Sequence, residues 1–165
     1  MNTYHIEEKL SGAQLCRMYR KHEYFVLAFE NGMDQYILHI LCFWRMLRQP
    51  DRQILFTKED IYSEASHRTV QNDLGGKSEF DWDEEGSNRM DEIVTQIGNK
   101  YQTLHVKNVQ ISKYADLIIE FAEGMVLQAL VDAMLPNMEQ WYFWTVPEKC
   151  SHETAYPSRV VHDQK

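Results

Sequence analysis

Two stretches of this chain constrain its fold more than any other feature. Tyr24 to Leu38, YFVLAFENGMDQYIL, and Asp116 to Leu130, DLIIEFAEGMVLQAL, lie 92 residues apart and share one pattern. In the first, Phe25, Leu27 and Phe29 alternate with Val26, Ala28 and Glu30; in the second, Leu117, Ile119 and Phe121 hold the matching places. Apolar residues at every second position describe a strand with one buried face. Asn31-Gly32 is the strongest short hairpin signal, because a type I′ turn needs positive φ at both central residues. Gly124 and Met125 fall where Gly32 and Met33 do.

The likeness extends in both directions. Leu10 to Met18 and Leu104 to Ser112 read as matching entry strands, and LCFWRML and EQWYFWTV as matching aromatic strands downstream. The half-repeats therefore span about residues 10–48 and 104–145. Hairpins with glycine turns also resemble one another by chance, so duplication is an expectation here. A lone hairpin cannot bury its apolar face, whereas two meanders sharing a core can. The fold class expected is α+β, mostly antiparallel β, with two related β-meander halves and one connecting amphipathic helix. At 165 residues a single domain is the default. Asp51 to Ser63 adds a short strand and turn after Pro50, and the tail from Glu148 reads equally as a frayed end or a final strand around Arg159-Val160-Val161.

Between the halves the composition shifts. Residues 66–87 form a long polar loop, and from Asn72 to Glu92 there are eight acidic residues against two basic ones. The whole chain carries a net charge of −8, so most of it sits here. The loop runs into a helix over about residues 88–101. Ser87 is the expected N-cap, Asp91 and Glu92 sit near the positive end of the helix dipole, and Met90, Ile93, Val94 and Ile97 form one apolar stripe.

Several roles fit the acidic stretch. Asp81, Asp83, Glu85, Gly86 and Glu92 fall at positions 1, 3, 5, 6 and 12 of a calcium loop. Glu at position 5, Arg89 at position 9 and the lack of a preceding helix count against it. Clustered carboxylates also steer a basic partner, with Phe80 or Trp82 as aromatic anchor beside Asp81, Asp83, Glu84 and Glu85. Nucleic-acid mimicry uses the same chemistry. The plain alternative is a solvated loop.

Catalytic signatures are lacking. Gly75-Gly76-Lys77-Ser78 has Gln71 where a phosphate-binding loop needs its first glycine, and neither G-x-S-x-G nor H-E-x-x-H occurs. The seven histidines lack ligand spacing; His39, amid Ile37-Leu38 and Ile40-Leu41, reads as a hydrogen-bonded strand residue. Cys42 reads as packing and Cys150 as an exposed thiol. Asp116, Glu120 and Glu139 have no readable convergence; alternation puts Asp116 and Glu120 on a solvent face. The expectation is a protein that is not an enzyme and uses no cofactor or metal.

Three cysteines without a C-x-x-C pair suit a reducing compartment, and the N-terminus has no secretory pattern. The expected location is cytoplasmic. The longest apolar run, Tyr36 to Trp44, is far short of a membrane span. The acidic balance disfavours nucleic acid as partner; the local cluster Cys16 to His22, with three positive charges, reads as a guarded strand edge or turn.

Trp44-Arg45 in the first half, the D-L-x-x-x-F-x-x-G hairpin from Asp116-Leu117 through Phe121 to Gly124, and the closing Glu139 with Trp141 together resemble a family of small bacterial β-rich proteins of unknown function. The resemblance covers about Leu10 to Trp144 without the acidic middle, which departs from the family's short connection. Proteins of this type serve as immunity partners of polymorphic toxins. The resemblance thus implies a binding protein whose partner is a basic protein such as a toxin, met through Phe80 to Glu85. Two alternatives stay open. One is a small-molecule sensor or carrier with a pocket between the halves, for which Trp44, Arg45, Glu139 and Trp141 are the candidate ligand residues beside Phe143 and Trp144. The other is a homodimer or larger oligomer assembled through the Trp141 to Trp144 strand.

Overall fold

The structure, a computed structural model, describes residues 5–68, 74–75, 79–132, 135–146 and 151–164. It is mostly antiparallel β-sheet with few helices. Helix α1 (His5–Leu10) leads into β1 (Gln14–Lys21), β2 (Tyr24–Asn31), β3 (Asp34–Ile40), β4 (Phe43–Arg48) and β5 (Gln53–Thr57). A 3-10 helix (Lys58–Tyr62) and the acidic stretch precede α2 (Arg89–Lys100). Then come β6 (Leu104–Ile111), β7 (Leu117–Phe121), β8 (Met125–Leu130), β9 (Trp141–Val146), β10 (Ser151–Tyr156) and β11 (Arg159–Gln164).

Among the described residues, eleven strands form one sheet in the order β11-β10-β9-β3-β2-β1-β6-β7-β8-β4-β5. The seam between β1 and β6 is narrow: only Gln14 opposite His105 and Leu15 opposite Leu104 pair there. On each side of the seam lies a three-stranded meander, β1-β2-β3 and β6-β7-β8, and the strand that follows each meander crosses over. β4 leaves β3 and pairs with β8, placing Trp44 opposite Ala129. β9 follows β8 and pairs with β3, placing Trp141 opposite Ile40. The helices cross as well: α1 packs on β6 and α2 on β1.

The two wings face each other across a filled core. The Phe25 ring on β2 lies 4.4 Å from Trp44 on β4 and 6.1 Å from Phe56 on β5. Trp44 and Trp141 are both fully buried. Burying each such side chain is worth roughly 1.5–3 kcal/mol, which is why the alternating pattern fixes which face turns inward. The last hairpin is tied in by a charge: buried Glu153 on β10 accepts hydrogen bonds from the His5 and Ile6 amides at 2.7 and 2.8 Å, satisfying two donors at the start of α1.

The structure corrects several expectations. The first entry strand begins at Gln14, because Leu10 ends α1 and is buried under it. Bulges interrupt the register between Leu15 and Arg17 in β1 and between Val106 and Asn108 in β6. Of the two readings of the tail, the strand around Arg159-Val160-Val161 is the one found, as β11 of a β10–β11 hairpin whose polar residues hid its period. Strand β9, with the Trp141 to Trp144 run, is paired on both sides, to β3 and β10, and offers no free edge. No helix among the described residues is long and apolar enough to cross a membrane.

Candidate functional site

The described part of the acidic stretch, Glu79 to Asn88, is folded against the body. Arg20 organises it. This residue is the last but one of β1, with its side chain only 4 % exposed, and its guanidinium lies 3.0 Å from Asp83 Oδ1 and 3.1 Å from Asp91 Oδ2. The same nitrogens donate to the carbonyls of His22 and Asp83 at 3.0 and 3.3 Å. A buried charge needs such a set of partners, since a lone one costs several kcal/mol. The Asp83 carboxyl is held below its ordinary pKa, first by the hydrogen bond with His22 at 2.9 Å and then by Arg20.

Backbone and side-chain bonds close the loop around this pivot. Asp81 Oδ1 accepts from the Asp83 amide at 3.0 Å, and Asp91 Oδ2 accepts from the Gly86 amide at 2.9 Å. Gly86 has φ +78, a left-handed conformation that glycine takes without strain. The Asn88 amide group donates to the Trp82 carbonyl at 2.9 Å, while its Oδ1 accepts from the Asp91 amide at 2.9 Å. Asn88 is therefore the N-cap of α2. Ser87, one residue earlier, is buried with its hydroxyl on the Asp81 carbonyl.

The aromatic residues turn inward. Trp82 is half-buried, packs on the core, and meets the Tyr62 ring edge-on at 5.4 Å. The Tyr62 hydroxyl donates to Glu23, and that carboxylate pushes the phenol up to about 12. Phe80 is half-buried beneath Arg68, whose guanidinium carbon stands 5.9 Å from the ring. Phe80 and Trp82, the two expected aromatic anchors, are thus each half-buried and hold the loop down.

The carboxylates divide into two groups. Asp83 and Asp91 face Arg20, and Glu92 accepts from the Ser66 amide and hydroxyl at 3.1 and 3.0 Å. Glu79, Asp81, Glu84 and Glu85 are exposed. Glu84 lies 3.6 Å from Arg68 with its side chain 63 % exposed, so this contact is weak. Asp81, Asp83, Glu85 and Glu92 do not converge, and no group of three or more His, Cys, Asp or Glu among the described residues could hold a metal ion. Residues 69–73 and 76–78, which complete the acidic stretch, lie outside the described residues.

The candidate ligand residues are scattered. Trp44 and Trp141 are core, as is Phe143 at 2 % exposure, so they fill space between the wings. Trp144 points to the outer face, 4.6 Å from the His39 ring. His39 therefore packs edge-to-face against an indole on the outer surface of β3, and burial together with nearby Lys21 lowers its pKa. Arg45 is half-buried on the outer face of β4, bonded through Nε to Gln128 at 2.7 Å. Glu139 is exposed beside an open pocket of 580 Å³ that Glu23, Cys42, Lys58 and Asp132 also line. Burial and then Asp132 push the Cys42 thiol up to about 12, which leaves it inert as a nucleophile at neutral pH. Cys150 lies outside the described residues. Asp116 is no solvent residue: it accepts from the Ser112 hydroxyl at 2.9 Å and the Val131 amide at 2.8 Å.

Sequence reasoning missed Arg20, His22 and Tyr62, which fasten the loop. The basic cluster at residues 16–22 was the available signal, but its acidic partners lie more than 60 residues away. Comparison of the chain with protein-family models, with curated proteins and with solved structures returns no match.

Proposed function

We propose that this chain is a non-enzymatic protein-binding domain whose acidic loop docks a basic partner, in the manner of an immunity protein that covers the substrate site of a nuclease-like toxin. The observation that supports the reading most is the division of the carboxylates. Asp83 and Asp91 pair with Arg20, while the carboxylates of Glu79, Glu84 and Glu85 stay exposed, Glu84 only weakly held by Arg68, on a loop already folded. A loop ordered before encounter loses less entropy on binding, and its exposed charges raise the association rate at low salt. The same reading treats the architecture as α+β, with two related meander halves that exchange their fourth strands and helices. Supporting it are the paired bulges after Leu15 and Val106 and the two buried tryptophans on the crossing strands.

The test is capture of partners from the native cell followed by binding with purified components. Wild type and the variant E79Q/E84Q/E85Q are compared, leaving the Arg20 cluster untouched. A basic protein that binds wild type and loses affinity for the variant, most strongly at low salt, supports the reading. Equal affinity for both proteins removes the loop as the docking site.

A further inference from the structure

The outer face of β4, β8 and β7 carries a second candidate site, remote in sequence from the acidic loop. A groove of about 430 Å³ lies here, with Arg45, Arg52 and Glu120 as its charged residues and Ile118, Val126 and Gln128 on its floor. Arg45 and Glu120 are both half-buried. Apart from the Nε bond to Gln128 at 2.7 Å, no hydrogen bond or ion pair engages the Arg45 guanidinium among the described residues, and none engages the Glu120 carboxylate. Two opposite charges thus share one groove without meeting.

The strand register explains why. Arg45 is opposite Gln128, which is opposite Ile118, and Glu120 stands one same-face position along β7. Sheet spacings put the two Cα atoms about 12 Å apart, which leaves a gap between the side-chain ends. Partly desolvated charges without partners are costly, so a ligand that supplies both counter-charges gains from each. The Gln128 bond fixes the guanidinium plane and leaves its two terminal amino groups as a fork for a carboxylate. Glu120 is left to accept from an ammonium, and Ile118 and Val126 lie between as an apolar floor.

The geometry points to a binding site for a small zwitterion, an unblocked amino acid or dipeptide, with its carboxylate on Arg45 and its ammonium on Glu120. The groove takes no residue from the acidic loop, so its fate is independent of partner docking there. The test is titration of the protein with glycyl-leucine, followed by amide chemical shifts. Saturable shifts centred on β4, β7 and β8 are expected. R45Q and E120Q should each weaken binding roughly tenfold or more, as loss of one charge-assisted hydrogen bond does. N-acetylation or C-terminal amidation of the dipeptide should do the same. E120Q removes a charge that has no partner among the described residues, so it carries the test alone if R45Q does not fold. Absence of saturable shifts up to about 10 mM dipeptide overturns the proposal. Affinity unchanged in E120Q, or unchanged by blocking both dipeptide ends, overturns it equally.

Discussion

Arg20 near the end of β1 holds Asp83 of the acidic loop at 3.0 Å, across 63 residues of sequence. The contact turns the most charged stretch of the chain into a folded surface. It also separates the carboxylates held at Arg20 from Glu79, Glu84 and Glu85, which face solvent.

Removing the cation should expose this division. R20M leaves Asp91 without its counter-charge and Asp83 with only the His22 ring beside it. A loss of about 2 kcal/mol is expected, between the cost of breaking a fully buried pair and that of breaking an exposed one. Urea denaturation measures it. E85Q, at an exposed position with no bond among the described residues, should be neutral in the same experiment.

The two buried tryptophans should respond differently to the same substitution. Trp141 Nε1 donates to the Ala115 carbonyl at 2.9 Å, whereas Trp44 Nε1 is buried without a partner among the described residues. W141F leaves a buried carbonyl unsatisfied, while W44F removes an unsatisfied donor. W141F is expected to cost about 1–3 kcal/mol more than W44F, read as a difference in thermal or urea unfolding.

How much of this was legible beforehand follows from the range of each interaction. Strand and hairpin signals are local, so the alternation of Phe25, Leu27 and Phe29, and of Leu117, Ile119 and Phe121, marked β2 and β7 with their buried faces. The crossing of β4 and β9 between meanders is set by pairing of distant strands, and nothing in Phe43–Arg48 names β8 as its partner. Helix α2 was visible from its apolar stripe, but its cap depended on the Asn88 side chain finding Asp91, and adjacent Ser87 offered the same chemistry. Arg20 was hidden because a basic residue among Arg17 and Lys21 looks like any solvated edge until its acidic partners arrive.

Acid should weaken the loop before the sheet. The folded pKa of Asp83 lies below its ordinary value, so its contribution is fully present above the usual carboxylate range and is lost as pH falls through the lowered folded value. Trp82 fluorescence is diluted by three other tryptophans, so the measurement is NMR of the Asp83 and Gly86 amides between pH 6 and 2, where D83N should abolish the transition. A transition at or above the ordinary aspartate pKa would contradict the assignment.

Cys42 should resist alkylation. Its side chain is buried and its thiol is pushed up to about 12. Iodoacetamide at neutral pH is expected to modify exposed Cys16 in the native protein and to reach Cys42 only after denaturation, as read by peptide mass spectrometry.

Amide hydrogen exchange across residues 79–88, compared between wild type and R20M, tests most directly whether the acidic loop is a preformed surface. The Asp83, Glu84, Gly86 and Ser87 amides all donate within the cluster. They are expected to be protected in wild type and to exchange much faster in R20M, with β2 and β7 unchanged. Fast exchange of these amides in the wild-type protein would contradict the account, because the loop would then be a solvated chain with no surface to present.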